Sequence, residues 1–311
     1  MRAIVTGGAG FVGSHVVDAL VARGDDVLIV DNLANGTRER ANERAELVVG
    51  DIRDADTLGA AFDRLRPDAC FHLAAQADVR VSVDDPALDA DINVIGTIRV
   101  LEAAHRHGTQ VVFSSTGGAI YGECERPALE TDERRPLAPY GTAKLAGEEY
   151  LGTYNRLYGT GHVALRYANV YGPRQDPHGE AGVVAIFFGR LAAGEAPRIF
   201  GDGRQTRDYV YVGDVAAATV AAAGRSGGVF NIGTGVETSV LELFEACRRV
   251  SGVELEPEFA PPRAGELARS FLDADLAGRE LGFRAGTGLE EGLAQTWRSI
   301  QAEGEVAAGA N

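Results

Sequence analysis

Residues 3–6 read as a buried strand and run directly into Gly7-Gly8-Ala9-Gly10-Phe11-Val12-Gly13, after which a helical pattern continues to residue 23. Glycines at 7, 10 and 13 allow a tight turn, a close approach of backbone N–H groups to a pyrophosphate, and close packing of the helix on its strand. Strand, glycine turn and helix in that order open a parallel sheet, because the helix carries the chain back before the next strand starts. That next strand is read at 27–30 and ends in Asp31, 18 residues beyond Gly13. A carboxylate there accepts hydrogen bonds from the adenosine ribose and repels a 2′-phosphate, which favours NAD over NADP.

The same rhythm continues. Short apolar runs at 47–49, 70–73, 111–114 and 162–166 alternate with helical patterns at 55–65, 87–107 and 140–158. Strands rich in Val and Ile, buried on both faces and separated by helices, predict an α/β fold with a Rossmann-type doubly wound parallel sheet over residues 1–170. After Tyr171-Gly172-Pro173 the pattern loosens into Gly- and Pro-containing loops, with helices read at 183–193, 212–223, 240–250 and 289–301. Residues 171–311 are therefore expected to form mainly a smaller C-terminal substrate-binding lobe. Within it, 208–232 could rejoin the large sheet and 302–311 reads as a disordered tail. Asp51, just past the strand at 47–49, is placed either to meet the adenine or to cap a helix beginning near Asp56.

The excess of 45 acids over 30 bases gives a net charge of −15, which opposes sequence-independent binding to nucleic-acid phosphates. The chain shows neither a signal-like N-terminus nor an apolar run of membrane-spanning length, so no membrane partner is expected and the cytoplasm is the expected location. Cys70, Cys124 and Cys247 lack C-x-x-C spacing, and Cys70 reads as a packed core thiol. The six histidines are scattered, and no metal site is expected.

Lys144 is the single lysine among 30 basic residues, and it follows Tyr140 by four positions. On a helix the two side chains share a face. A compact ammonium can hydrogen-bond ribose hydroxyls and lower a neighbouring phenol's pKa, which a guanidinium does poorly. The pair predicts an activated tyrosine. Upstream, the strand at 111–114 runs into Ser115-Thr116-Gly117-Gly118-Ala119-Ile120-Tyr121-Gly122, which puts hydroxyls at the C-terminal edge of a central strand, where open α/β sheets bind ligands.

Taken together these segments resemble the extended short-chain dehydrogenase/reductase superfamily, and more closely its UDP-glucose (UDP-galactose) 4-epimerase family. The resemblance extends from Met1 to about Gly282. It includes the fingerprint from Thr6, Asp31-Asn32-Leu33, His72-Leu73-Ala74-Ala75-Gln76 and the Ser-Ser-Thr strand end. It continues through Tyr140 with Lys144, Arg166-Tyr167-Ala168-Asn169-Val170-Tyr171-Gly172-Pro173-Arg174, Phe200-Gly201-Asp202-Gly203, Arg207-Asp208-Tyr209 and Arg263-Ala264-Gly265-Glu266-Leu267. It implies that Gly7, Gly10, Phe11, Val12, Gly13, Asp31, Asn32, Asn35, Asp51, Ile52, Leu73, Gln76, Asn93, Tyr140, Lys144 and Tyr167 hold NAD.

By the same resemblance Thr116 is the catalytic hydroxyl. This chain carries one more residue before Tyr121 than the family pattern, which leaves open whether Ser115 shares that role. Asn169 is implied as a pyrophosphate contact, Val183 and Phe200 as uracil contacts, and Arg207 and Arg263 as phosphate ligands. Tyr209 and Glu266 are implied as ribose and loop contacts. Ser270 falls at a gate where a bulky tyrosine would exclude a 2-acetamido group, so a serine implies room for the UDP-N-acetylhexosamine pair. The implied partners are a UDP-sugar substrate and a second copy of the chain, joined through the helices read at 87–107 and 140–158.

The implied reaction is a reversible oxidation. Tyr140 takes the proton of the sugar 4-hydroxyl, with Thr116 bonding or relaying it, while carbon 4 passes hydride to NAD. The 4-keto sugar turns over and takes the hydride back, inverting the centre. A nucleotide-sugar 4,6-dehydratase would need an acid/base pair after the threonine, where Gly117 and Gly118 stand here. A UDP-glucuronate epimerase or decarboxylase would need a cation for the carboxylate, for which Arg80 or Arg174 are candidates. A non-catalytic NAD-binding regulator would tend to lose Tyr140 or Lys144.

Overall fold

The computed structural model describes residues 1–177, 182–263 and 266–309, with side chains through 303. The chain lays down β1 (Arg2–Thr6), β2 (Asp26–Asp31), β3 (Glu46–Val49), β4 (Ala69–His72), β5 (Gln110–Thr116) and β6 (Val163–Tyr167) in turn. It then forms β7 (Asn169–Tyr171), β8 (Arg198–Phe200) and β9 (Thr206–Tyr211), returns for β10 (Gly228–Ile232), and ends its strands with β11 (Glu237–Ser239), β12 (Glu258–Ala260) and β13 (Arg269–Ser270).

Seven strands pair in the order β10-β6-β5-β4-β1-β2-β3, every neighbour parallel. Alternate residues of each strand enter opposite cores, as the two-residue period of a strand dictates. Val5, Ile29 and Phe71 pack on one face with Val16 and Leu20. Ile4, Leu28 and Cys70 pack on the other with Leu58, Phe62 and Val100. Both faces are thus covered by helices, which is why the strands read as continuous apolar runs. The chain leaves β1 in one direction for β2 and β3, then returns to β4 on the other side. The crevice beyond the ends of β1 and β4 is therefore the switch point where such sheets bind ligands.

A smaller sheet in the order β11-β9-β13, with β7 also on β9, builds the second lobe. Its own core contains Phe187, Phe188, Ile199, Phe244, Leu293 and Trp297. Asp208 ties that lobe together by accepting from Thr234 N and Oγ1, Gly235 N and Leu272 N. Of the stretch 208–232, only β10 joins the large sheet, while its first residues stay in β9.

Two expectations change. The pattern read as one helix over 87–107 is Pro86–Ala90, then a π-helical turn at Asp91–Ile95, then Gly96–His107. The expected tail is helical as far as Gly309, since its Glu and Ala residues favour helix; residues 310 and 311 lie outside the described residues. No helix among the described residues is long and apolar enough to cross a membrane.

Candidate active site

The crevice is shaped by absent side chains. Gly7 has φ +73°, and a Cβ there would lie 2.6 Å from Ala74 N. A Cβ on Gly13 would lie 2.0 Å from Gly7 O. Gly10 caps the helix Phe11–Arg23 without a side-chain hydrogen bond, and no acid occupies its first turn. The exposed N–H groups and positive end of that helix suit a diphosphate. Phe11 and Val12 stand in the same turn, with Phe11 edge-on to His15. At the end of β2, Asp31 is buried and fixed from both sides: Oδ2 accepts from Ala9 N at 2.9 Å and Oδ1 from Leu33 N at 2.8 Å.

Asn32 and Asn35 are exposed beside it. Asp51 is not a helix cap, since Asp54 accepts from Asp56 N at the start of Ala55–Leu65. Instead Arg53 forks onto Asp51 and bonds Asp91, and the guanidinium holds the Asp51 carboxyl down at about 2. Ile52, buried next to it, fills the space above Gly96.

At the end of β4, His72 Nδ1 faces Thr6 Oγ1 at 2.7 Å, and Nε2 faces Thr97 Oγ1 at 3.0 Å. Thr97 donates its proton to Asn93 O, so it accepts from His72, and Nε2 carries the ring proton. Burial pulls this imidazole down to about 3, so it stays neutral. Leu73 N bonds Thr6 O, holding the strand ends in register. Gln76 and Asn93 clasp each other: Gln76 N donates to Asn93 Oδ1 at 3.0 Å, and Asn93 Nδ2 to Gln76 O at 2.8 Å. Asp89, between them, accepts from both amides.

Tyr140 and Lys144 stand on the helix Pro139–Tyr158, whose start is pressed against the turn after Thr116; a Cβ on Gly141 would lie 2.5 Å from Ala119 O. Lys144 is 3% exposed and donates to Ser114 O at 2.8 Å. Its ammonium lies 4.8 Å from the Phe113 ring centre and 6.0 Å from that of Tyr140. Burial pulls it down to about 8. The Tyr140 phenol is pushed up, by burial and then by the Asp89 charge. The expected activation by Lys144 is thus not supplied by the chain alone, because burial penalises both charged forms.

Thr116 ends β5 opposite Tyr167 of β6. Tyr167 spends its hydroxyl on Thr219 at 2.7 Å and packs within the core of the large sheet. Ser115 is engaged elsewhere. Its hydroxyl enters a buried network in which Glu148 is forked by Arg166, Arg166 bonds Tyr121, and Tyr121 bonds Asn231. Sequence reasoning gave no role to Glu148 or Asn231, or to Asp89; each is an ordinary polar residue until its burial is seen.

The lobe brings the expected substrate residues together. Asn169 and Tyr209 pair across β7 and β9, and Arg207 and Ser270 across β9 and β13. A Cβ on Gly118 would meet Asn169 Oδ1 at 3.3 Å, which places Asn169 beside the Thr116 turn. Tyr209 is buried, and its hydroxyl has no hydrogen-bond partner among the described residues. Arg263 stacks over the Phe200 ring at 3.8 Å, and Arg207 lies 3.8 Å from Glu266. Val183 opens the helix Val183–Ala192. Ser270 is only 2% exposed, so the proposed gate is packed. Arg174, a candidate carboxylate ligand, is paired with Asp18. Ala264 and Gly265 of the quoted motif lie outside the described residues.

The glycine cradle and the fixed Asp31 fit a dinucleotide, and the comparisons agree. The model of the NAD dependent epimerase/dehydratase family matches residues 3–233. UDP-glucose 4-epimerase of Mycolicibacterium smegmatis is 49% identical over 307 residues, covering 95% of this chain and 97% of the relative. The crystal structure of Thermotoga maritima UDP-glucose 4-epimerase with UDP-glucose superposes with a TM-score of 0.95 at 48% identity, covering 97% of this chain and 99% of that one. The Thermus thermophilus UDP-glucose 4-epimerase complex with NAD gives 0.93 at 45% identity, with the same 97% and 99% coverage.

Proposed function

The chain belongs to the NAD dependent epimerase/dehydratase family, and from that membership we propose that it inverts carbon 4 of a UDP-hexose through a transient 4-keto sugar, with NAD as the retained cofactor. The observation that carries the reading is the buried Lys144, anchored to Ser114 O beside Tyr140, with Thr116 followed by Gly117 and Gly118. Neither glycine can transfer a proton, which argues against dehydration.

The glycine turn and the N-terminus of Phe11–Arg23 hold the pyrophosphate of the cofactor, and Asp31 accepts from its adenosine ribose. When bound, NAD supplies a hydride acceptor for carbon 4 and a positive charge near the phenol. Tyr140 takes the proton from the sugar 4-hydroxyl and returns it to that oxygen once the hydride has gone back to the opposite face of carbon 4. Thr116 hydrogen-bonds that hydroxyl, and Lys144 holds the tyrosine and the ribose in place. Arg207 and Arg263 grip the diphosphate in forks suited to phosphate oxygens, while Phe200 and Val183 border the uracil. Grip on the nucleotide with a loosely held sugar lets the ketone turn over without leaving.

The proposed assembly is a homodimer. Val83, Leu88, Ile95, Leu137, Leu157 and Tyr158 are exposed apolar side chains on or beside the helices between residues 79 and 158, and a second copy would cover them. Free, buried Cys70, Cys124 and Cys247 suit a reducing cytoplasm. The deciding experiment is incubation with a panel of UDP-sugars. Carbon-4 epimers support the reading; dehydrated ketones, decarboxylated pentoses or stoichiometric reduced cofactor overturn it.

A further inference from the structure

Gln76 and Asn93 have no amide proton left for a ligand. Gln76 Nε2 donates to Asp78 O and Asp89 Oδ1, both at 2.9 Å, while its Oε1 accepts from Asp78 N. Asn93 Nδ2 donates to Gln76 O at 2.8 Å and Asp89 Oδ1 at 2.9 Å, while its Oδ1 accepts from Gln76 N. A primary amide has two N–H donors, so both sets are spent, and the network fixes which end of each amide is oxygen. What this corner still offers a ligand is acceptors alone. The wide turn at Asp91–Ile95 is what swings Asn93 inward to close the clasp.

Asp89 holds the clasp from a buried position, 1% exposed. Oδ1 takes one proton from each amide, and Oδ2 is buried with no hydrogen-bond partner among the described residues. Its helix, Pro86–Ala90, packs on the helix that carries Tyr140 and Lys144, and Asp89 borders a cleft with Pro139, Thr142 and Ala143 from the first turns of that helix.

We propose that Asp89 is a positioning residue for the proton transfer: through Oδ1 it locks Gln76 and Asn93 as acceptors, and through Oδ2 it sets a buried negative charge beside Tyr140 and Lys144. The inference rests on the reading above that this pair carries the reaction. Of the other charged groups on or beside the elements around the pair, Arg166 is engaged with Glu148, Arg53 with Asp91, Arg99 with Glu102, Arg134 with Glu149 and Arg80 with Asp78, while Asp84 and Arg106 stand on the outer helices Val79–Asp84 and Gly96–His107. His72, which feels the Lys144 charge, is neutral. The Asp89 charge raises the pKa of both Tyr140 and Lys144, so it opposes early deprotonation and keeps the pair cationic to higher pH.

Two variants separate the two halves. Asp89→Asn keeps an oxygen that can accept from both amides but removes the charge. In the NAD-loaded enzyme, the acid limb of turnover against pH should fall by roughly half a unit or more, and the phenolate absorbance that Tyr140→Phe abolishes should appear at correspondingly lower pH. Superimposable titrations would overturn the charge role. Asp89→Ala strands the two amide protons and should weaken NAD binding by about tenfold, read by calorimetry; unchanged affinity would overturn the clasp. If Tyr140→Phe itself retained full turnover, the failure would lie with the underlying reading and not with Asp89.

Discussion

Ser115 donates its hydroxyl proton to Glu148 Oε1 at 2.5 Å, and Arg166 grips the same carboxylate in a fork. A hydroxyl committed to a buried ion pair is a structural part, which makes Thr116 the candidate at the strand end for the proposed reaction. Ser115→Ala should therefore keep turnover within a few-fold while lowering stability by about 1.5–3 kcal/mol, the usual worth of a hydrogen bond to a charged group. Thr116→Val should lower kcat by roughly tenfold or more without a matching change in melting temperature. The reverse pattern in steady-state kinetics and thermal melts would reassign the hydroxyls.

Tyr140→Phe should reduce turnover by at least about a hundredfold, the lower range for a lost general base. Lys144→Arg should fail comparably. A guanidinium keeps the charge, but it cannot be seated in a pocket closed by Phe113 and Ser114 O. Rates are to be measured with saturating NAD, so that weakened cofactor binding is not mistaken for lost chemistry.

Asp31 should make the protein select NAD over NADP. Its two oxygens are already anchored by Ala9 N and Leu33 N, so the carboxylate cannot swing away from a 2′-phosphate. Asp31→Ser should narrow the preference by about tenfold or more. Calorimetric titration of cofactor-free protein with each dinucleotide measures it; equal affinities in the wild type would show that Asp31 does not read the ribose.

His72 and His162 are buried, and burial pulls them from 6.5 down to about 3 and about 4. The unfolded chain therefore binds more protons than the folded one below pH 6.5, and stability falls as the pH drops through that window. Each can contribute up to about 1.4 kcal/mol per pH unit, His162 down to about pH 4 and His72 further. His162→Gln should flatten the decline, so that urea midpoints of variant and wild type converge between pH 7 and pH 5.

Ser270→Tyr should abolish epimerisation of UDP-N-acetylhexosamines while sparing UDP-glucose, if position 270 is a gate. Because Ser270 is buried next to Arg207 in the pairing of β13 with β9, a thermal melt is needed beside the assays. Equal loss of both activities in a folded variant, or a wild type inert toward acetamido sugars, would remove the gate.

Much of this was legible in the residues. The strands of the large sheet fall within a residue or so of where their apolar runs lie, because burial on both faces writes itself into consecutive positions. Strands β7 to β13 outside that sheet were not, except for the return of β10. Pieces of two or three residues such as Arg269–Ser270 carry no period, and their partners are distant in sequence. The helix pattern over 87–107 concealed a π turn, since apolar spacing does not record that Asn93 turns inward to Gln76. Asp89 stands in the acidic run Asp84-Asp85-Pro86-Ala87-Leu88-Asp89-Ala90-Asp91, which looks solvated throughout. One signal was available: Asp89 precedes Asn93 by four residues and so shares its face.

Only Ala168 separates β6 from β7, and the chain comes back at β10 before leaving again at β11. The lobes are thus stitched together by repeated passage, and Val212–Ala221, reached from the small sheet, packs on the first helix of the large one. Tied at more than one point, the lobes are expected to slide slightly against each other more readily than to open widely. Heat should melt both halves in one cooperative step, and a single proteolytic nick in any one passage should leave them associated.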